Sequence, residues 1–338
     1  MKRRDVLRAA ALTPLALPWL GRAHAAPPAN VVDLYREAIR AMPAWTEADR
    51  TILNAVATTP LDRGTESILR RAEPALGLLI KAASATNCDW GDTWTGAGFE
   101  TSMDFIGGAR NLARLALLQA RYNVEAGHPD QGLRVAFAAI VLGGHLVQGG
   151  VMIAQLVGLV SGYDGIGGAA ATLTGLDRAS LVEVDRRYRS LPPLPSLAAT
   201  VRFEKAFFLG YCVPKERAKF DDAEVARLST WYDRTADACA TSEALAALRA
   251  TAKAKSEEAQ FFDALDGYRN ARTYAEVKHA LFLAAIAAAA DGPGALATVP
   301  DPTDGLPFDV RSWATGFELT SRFGLENKPR ASLVVGRR

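Results

Sequence analysis

The sequence has little of what metal proteins and most enzymes rely on. Of 338 residues only three are cysteine and four are histidine. No H-E-x-x-H, C-x-x-C or clustered histidine pattern occurs, so the residues give no support for a metal site, and no cofactor is expected. G-x-S-x-G and P-loop patterns are missing too, which removes the serine-hydrolase elbow and the common nucleotide cradle. Aromatic residues make up 8% of the chain, and no basic stripe interleaved with them points to nucleic acid. Long stretches also lack strand-type alternation, while alanine is abundant, so the expected class is all-α.

What basic character there is sits at the start. MKRRDVLRAAALTPLALPWLGRAHAAPP has a cationic opening, an apolar run and Ala23-His24-Ala25, a small-x-small cleavage pattern. Arg3-Arg4 with Leu7 resembles a twin-arginine export signal. Residues 1–25 are therefore expected to be a signal peptide cleaved after about Ala25, placing the protein in the periplasm, with an uncleaved N-terminal anchor as the alternative. The segment carries Lys2, Arg3, Arg4, Arg8 and Arg22 against Asp5, so the formal +2 of the whole chain becomes −2 without it. In an oxidising compartment three cysteines form at most one disulfide. Cys212 with Cys239 is the candidate pair, since both fall in one helical region, and three buried thiols are the alternative.

The chain is organised around residues 107–163. Leu112, Leu115, Ala116, Leu118 and Tyr122 recur at helical spacing up to Gly127, and Pro129 then opens a second helix, expected to reach about Leu142. The two form an antiparallel hairpin of the tetratricopeptide or helical-bundle kind, with Gly127, Gly132, Ala136 and Ala139 at close-packing positions. No charge occurs between Val135 and Tyr163, a span of 29 residues. A membrane helix is considered and set aside, because Gly143-Gly144 and Gly149-Gly150 each weaken a helix by about 1 kcal/mol per glycine. A turn near Gly149 between two core helices is expected instead, and no membrane span in the mature chain.

Elsewhere, Asn30, Thr46, Thr65, Asp177 and Ser196 are expected helix starts. The second helix is expected to end at Pro60, the third to be interrupted at Pro74, and the helix from Ser196 to reach Gly210. Further helices are expected over 223–238 and 243–265, with a last one starting at Thr273. LPFDVRSW, FELTSRF and ASLVVG then read as a β-hairpin or three-stranded sheet. The expected organisation is thus an α-helical domain over 26–300 and a small β-rich cap over 301–338.

Several stretches together resemble a known family: Cys88-Asp89-Trp90, LARLALLQARYNVEAGHPDQGLR, GGHL…MIAQLVG, LPPLPS followed by FEK, and a late GF-x-L. They are similar to uncharacterised exported or membrane-anchored helical proteins common in planctomycetes, over roughly residues 70–210 plus the tail. The resemblance implies an exported helical protein and brings no activity with it. This chain departs from the pattern at Gly143–Gly150, where charges are usual, and at Glu204-Lys205, where Glu-Arg is more typical.

A few residues could carry chemistry. Asp89, Asp92, Glu100 and Asp104 flank Trp90 and Trp94 in a glycine-containing loop. Two carboxylates there could act as acid and base beside sugar-binding rings, or Asp89 could cap a turn while Trp90 plugs the bundle. Glu204, on an aromatic helix, could pair with Arg202 or another arginine, or project into a pocket. Asp89 and Glu204 are the candidate catalytic pair, and Trp90, Asp92, Trp94, His145 and Gln148 the candidate ligand-binding residues. His145 and Gln148 could line a cavity or hold the backbone of the turn. His128 is expected in solvent and His279 isolated on its helix. The expected function is a non-enzymatic protein-, peptide- or envelope-binding scaffold. The alternative is a hydrolase or lyase acting on a glycan-like envelope substrate.

Overall fold

The computed structural model describes residues 30–85, 88–91, 99–215, 218, 220–253, 256–324 and 329–336. The expected signal segment, Asp92, Trp94 and the side chain of Glu100 lie outside the described part. Within it the all-α class holds, with a three-stranded antiparallel sheet near the C-terminal end.

Local sequence sets the first helices. Asn30 starts α1 (Val31–Arg40) by accepting from the Val32 amide at 3.0 Å, and a Thr46–Asp49 capping box starts α2 (Glu47–Asn54). α2 ends at Asn54, ahead of Pro60, where the Thr58 and Thr59 amides turn back onto the Ala55 carbonyl. The cap of α3 (Arg63–Arg71) is Asp62 and not Thr65. The Asp62 carboxylate takes both the Gly64 and Thr65 amides, while the Thr65 hydroxyl donates to the Pro60 carbonyl. A break at Ala72 lets α4 (Glu73–Ala82) begin with Pro74 in its first turn, where a missing N–H costs nothing.

The centre is formed by α5 (Phe99–Glu125), α6 (Pro129–Gly149) and α7 (Met152–Ala170). Gly127, at φ +86°, makes the α5–α6 turn, and a Cβ on Gly132 would fall 2.9 Å from the Ala120 carbonyl oxygen, so these helices pack at backbone distance. α6 is longer than expected, running through Gly143 and Gly144 to Gly149. The glycine that weakens the helix locally is needed in the tertiary structure: a Cβ on Gly143 would lie 2.6 Å from the Gly158 carbonyl oxygen and 2.7 Å from the Gly162 nitrogen of α7. Gly165 meets Ile140 and the Ala136 carbonyl in the same way. By length and apolarity α6 could cross a bilayer, but 78% of its apolar window is buried in the fold.

Beyond the centre, Asp177 caps α8 (Arg178–Arg189) and Ser196 caps α9 (Leu197–Phe207), which passes into one π turn (Phe208–Cys212) before α10 (Val213–Lys215). Then come α11 (Asp222–Ala238), α12 (Ser242–Arg249) and α13 (Glu257–Asp291). The helix expected over 243–265 is therefore split. Ser256, with Glu257 and Glu258 behind it, provides the real start, and α13 passes unbroken through Thr273 for 35 residues. No disulfide joins Cys212 to Cys239, and Cys88 is in none either. Cys212 packs with Phe208 and Phe220, whereas Cys239 packs with a separate apolar group around Val201, Leu245 and Tyr268.

Strands β1 (Asp309–Trp313), β2 (Gly316–Gly324) and β3 (Arg330–Gly336) form a meander in the order β1-β2-β3. Trp313 pairs with Gly316, and Phe317 with Val335. Leu319, Ala331, Leu333 and Val335 belong to the same apolar core as Leu281, Phe282 and Ile286 of α13, and the Lys278 Nζ donates to the Ser332 carbonyl. A three-stranded meander has only one face to bury, and here the helical body receives it.

The α6–α7 contact gives a paired prediction. Gly143→Ala drives a methyl into backbone of α7 and lowers stability by about 1–3 kcal/mol. Gly144→Ala, with nothing within 4 Å of its new Cβ, is neutral or stabilises by up to about 1 kcal/mol. Urea unfolding followed by circular dichroism distinguishes them; equal midpoints would mean the two helices are not in backbone contact.

Candidate functional site

Five of the nominated residues gather around the turn between α6 and α7. The chain reverses in two residues, Gly150 and Val151, and no side chain of its own caps the start of α7. The first amides of a helix have no partner within it, so they must be met from elsewhere. Glu204 of α9 does this: its carboxylate accepts from the Met152 amide, across 52 residues of sequence. The expected pairing of Glu204 with Arg202 does not occur. Arg202 faces Asp237 at 3.7 Å and Lys205 binds Asp233 at 2.6 Å, both partners lying on the neighbouring helix over 222–238.

On the other side of the turn, Trp90 is almost wholly buried, packs its ring on Gly149, and donates its Nε1 hydrogen to the His145 carbonyl at 2.7 Å. Tyr35 stacks on Trp90 with ring centres 6.4 Å apart, Phe105 meets its edge at 5.3 Å, and the Tyr35 hydroxyl is 2.6 Å from His145 Nδ1. Burial pushes the Tyr35 hydroxyl well above its ordinary value, so it stays protonated beside the imidazole. Trp90 is thus the plug that one of its two readings described. Asp89 beside it is exposed, and its carboxylate accepts from the Gly91 amide at 2.9 Å, fixing a turn in which Gly91 has φ +48°.

Gln148 does not hold the turn. Its amide donates to the Pro193 carbonyl at 2.9 Å, tying α6 to the proline-rich connector. Gln155 takes that role, donating to the Gly150 carbonyl at 2.8 Å while its own carbonyl receives the Thr200 and Tyr268 hydroxyls. Sequence pattern passed over Gln155, although a lone amide in an uncharged run was its signal. His128 is exposed. His279 is not isolated, because its Nδ1 meets the Tyr188 hydroxyl, and burial lowers its pKa to about 4.

No family model, curated protein or solved structure matches this chain. The chemistry must therefore be read from the side chains. Burial raises the Glu204 carboxyl to about 7 against the opposing hydrogen bond from Met152, so it can hold or release a proton near neutrality. Two cavities lie among the described residues. One of about 140 Å³ is lined by Trp45, Arg50, Leu53, Asn54 and Asn111, and another of about 250 Å³ lies among Val124, Pro129, Thr172, Thr174 and Thr315. Neither is lined by Glu204 or Asp89. A second group of charges went unnoticed in the sequence. Asp164 of α7 is raised by burial, an effect opposed by Lys278, Arg114 and Arg110; Tyr163 beside it is raised to about 12 by burial and by Asp164. Only the folding of α5 and α13 against α7 brings these together.

Glu204 makes a pH prediction. Unfolded, the carboxyl titrates at its ordinary 4.5, and folded at about 7. The folded state binds the extra proton between those values, so stability falls as pH rises from about 4.5 to about 7 and is level above. Glu204→Gln keeps an acceptor for the Met152 amide and removes the titration. The variant should gain on the parent at pH 8 relative to pH 4 by up to about 3 kcal/mol. Unfolding free energies measured at both pH values test this, and parallel profiles for the two proteins would refute it.

Proposed function

We propose that the chain is an exported helical protein that works by binding a protein, a peptide or a component of the cell envelope. One observation carries this reading. Each nominated polar group that the structure describes is engaged in a bond the fold requires: Glu204 on the Met152 amide, Trp90 on the His145 carbonyl, His145 on Tyr35, Gln148 on the Pro193 carbonyl, and Asp89 in its own turn. Such groups build a rigid scaffold, and rigid helical scaffolds present faces. Export rests on the twin-arginine-like start and on the resemblance to exported helical proteins.

A second reading has its own support. Glu204, titrating at about 7, and the loop that bears Asp89 reach the α6–α7 turn from two sides, as a hydrolase or lyase of glycan-like substrates would require of its acid and base. The readings separate experimentally. Native mass spectrometry of the protein released from the periplasm should show a retained partner or envelope fragment under the binding reading, and that species should survive Glu204→Gln. A protein confined to the cytoplasm, or one that turns over an envelope glycan and loses that activity in Glu204→Gln, would end it.

A further inference from the structure

The cavity between α2 and α5 differs from the turn just described in having hydrogen-bonding capacity to spare. Its floor is the buried Leu53, and its wall includes the half-buried Trp45. Around these stand Arg50, Asn54 and Asn111. Arg114, one turn along α5 from Asn111, donates from Nη1 to the Asn54 Oδ1 at 2.6 Å. That bond takes up the acceptor of Asn54 and leaves its NH₂ group as the free end. Among the described residues, neither the Trp45 Nε1 nor the Asn111 amide has a hydrogen-bond partner. Arg50 has only the exposed Glu47, at 3.5 Å.

The unused valences are therefore almost all donors. The charges agree: Arg110 and Arg114 lie one turn apart on α5, with Asp164 as the carboxylate that acts on both and that also faces Lys278. At the cleft itself the one charged lining side chain is Arg50, and Arg114 adds a second guanidinium through its bond to the lining Asn54, in a chain whose net charge is −2 once residues 1–25 are set aside. A site rich in donors and cations takes an oxyanion. A bare phosphate would take the N–H donors but leave the indole face, Leu53 and the Asn111 carbonyl oxygen unused, whereas a pyranose ring bearing a carboxylate matches all of these surfaces. Its ring covers apolar wall, its hydroxyls meet the amides, and its carboxylate meets the guanidinium groups. At about 140 Å³ the cavity is smaller than a drug-sized pocket, and so fits one such residue or the end of a chain.

We propose that this cleft binds an acidic sugar residue, with Arg50 and Arg114 on its carboxylate, Asn54 and Asn111 on its hydroxyls, and Trp45 against its ring. The proposal goes beyond the binding reading above and shares no residue with the α6–α7 turn, so either can fail alone.

The test is isothermal titration calorimetry of the full chain with glucuronate, glucose and inorganic phosphate, supported by saturation-transfer NMR. Glucuronate should bind in the millimolar range, at least about tenfold more tightly than glucose, since one charge-assisted hydrogen bond is worth about that factor, and more tightly than phosphate, which has no ring to cover the apolar wall. Arg50, largely in solvent, gives a variant that keeps the fold: Arg50→Gln should weaken glucuronate by about tenfold and leave the thermal midpoint unchanged. Asn111→Ala should weaken both sugars together. Equal binding of phosphate and glucuronate would reduce the cleft to a simple anion site and overturn the proposal. So would the absence of glucuronate binding, or affinity untouched by Arg50→Gln and Asn111→Ala.

Discussion

Backbone-to-backbone contact between α6 and α7 is the constraint on which the rest of the structure depends. Gly143, Gly158 and Gly165 let carbonyl oxygens of one helix approach where a Cβ of the other would stand. Helices this close can be joined by a very short connection, and here it is Gly150 and Val151 alone. The turn is then buried among neighbours and short of caps, so its polar groups need partners from distant parts of the chain. Glu204 from α9, Gln155 from within α7 and Trp90 from the loop before α5 supply them. Polar chemistry at this point follows from apolar packing.

Glu204 shows how the competing effects resolve. A helix N-terminus favours a carboxylate, typically by less than about 2 kcal/mol. Removal from water opposes ionisation, and with the pKa settling at about 7 desolvation is the larger effect. A glutamine would accept the same amide hydrogen without that penalty. The carboxyl is thus an expensive cap in terms of stability, which is the observation that keeps the acid–base reading alive beside the binding one.

What the sequence made legible was local. Asn30, Thr46, Asp177 and Ser196 were readable as caps because a cap acts over two or three residues. Thr65 misled because Asp62, three residues earlier, caps the helix by taking the Gly64 and Thr65 amides, and the Thr65 hydroxyl turns instead to the Pro60 carbonyl. Thr273 misled because a β-branched residue in mid-helix carries only a small propensity cost, which the apolar face of α13 outweighs. The partners of Glu204 and His279 lie 52 and 91 residues away, beyond any periodicity argument. Gly143 was read for its local cost, and its tertiary purpose appears only with α7 in place.

The same logic separates the two places where polar side chains collect. At the α6–α7 turn the Met152 amide and the Gly150 and His145 carbonyls each meet a side chain, and a buried backbone group left unmet would cost about 1–3 kcal/mol. In the α2–α5 cleft solvent can satisfy what the protein leaves open, and the fold gains little from holding Asn111 or the Trp45 N–H there. Polar groups at the turn are explained by the backbone bonds they make there, the ionisable carboxyl of Glu204 excepted. Those in the cleft are not: the Trp45 N–H and the Asn111 amide are left to solvent, and Arg114, bonded to Asn54 and partly out of water, feels the repulsion of Arg110 that Asp164 only opposes. An arrangement that costs stability in the free protein and is relieved by an anion has the energetic form of a binding site.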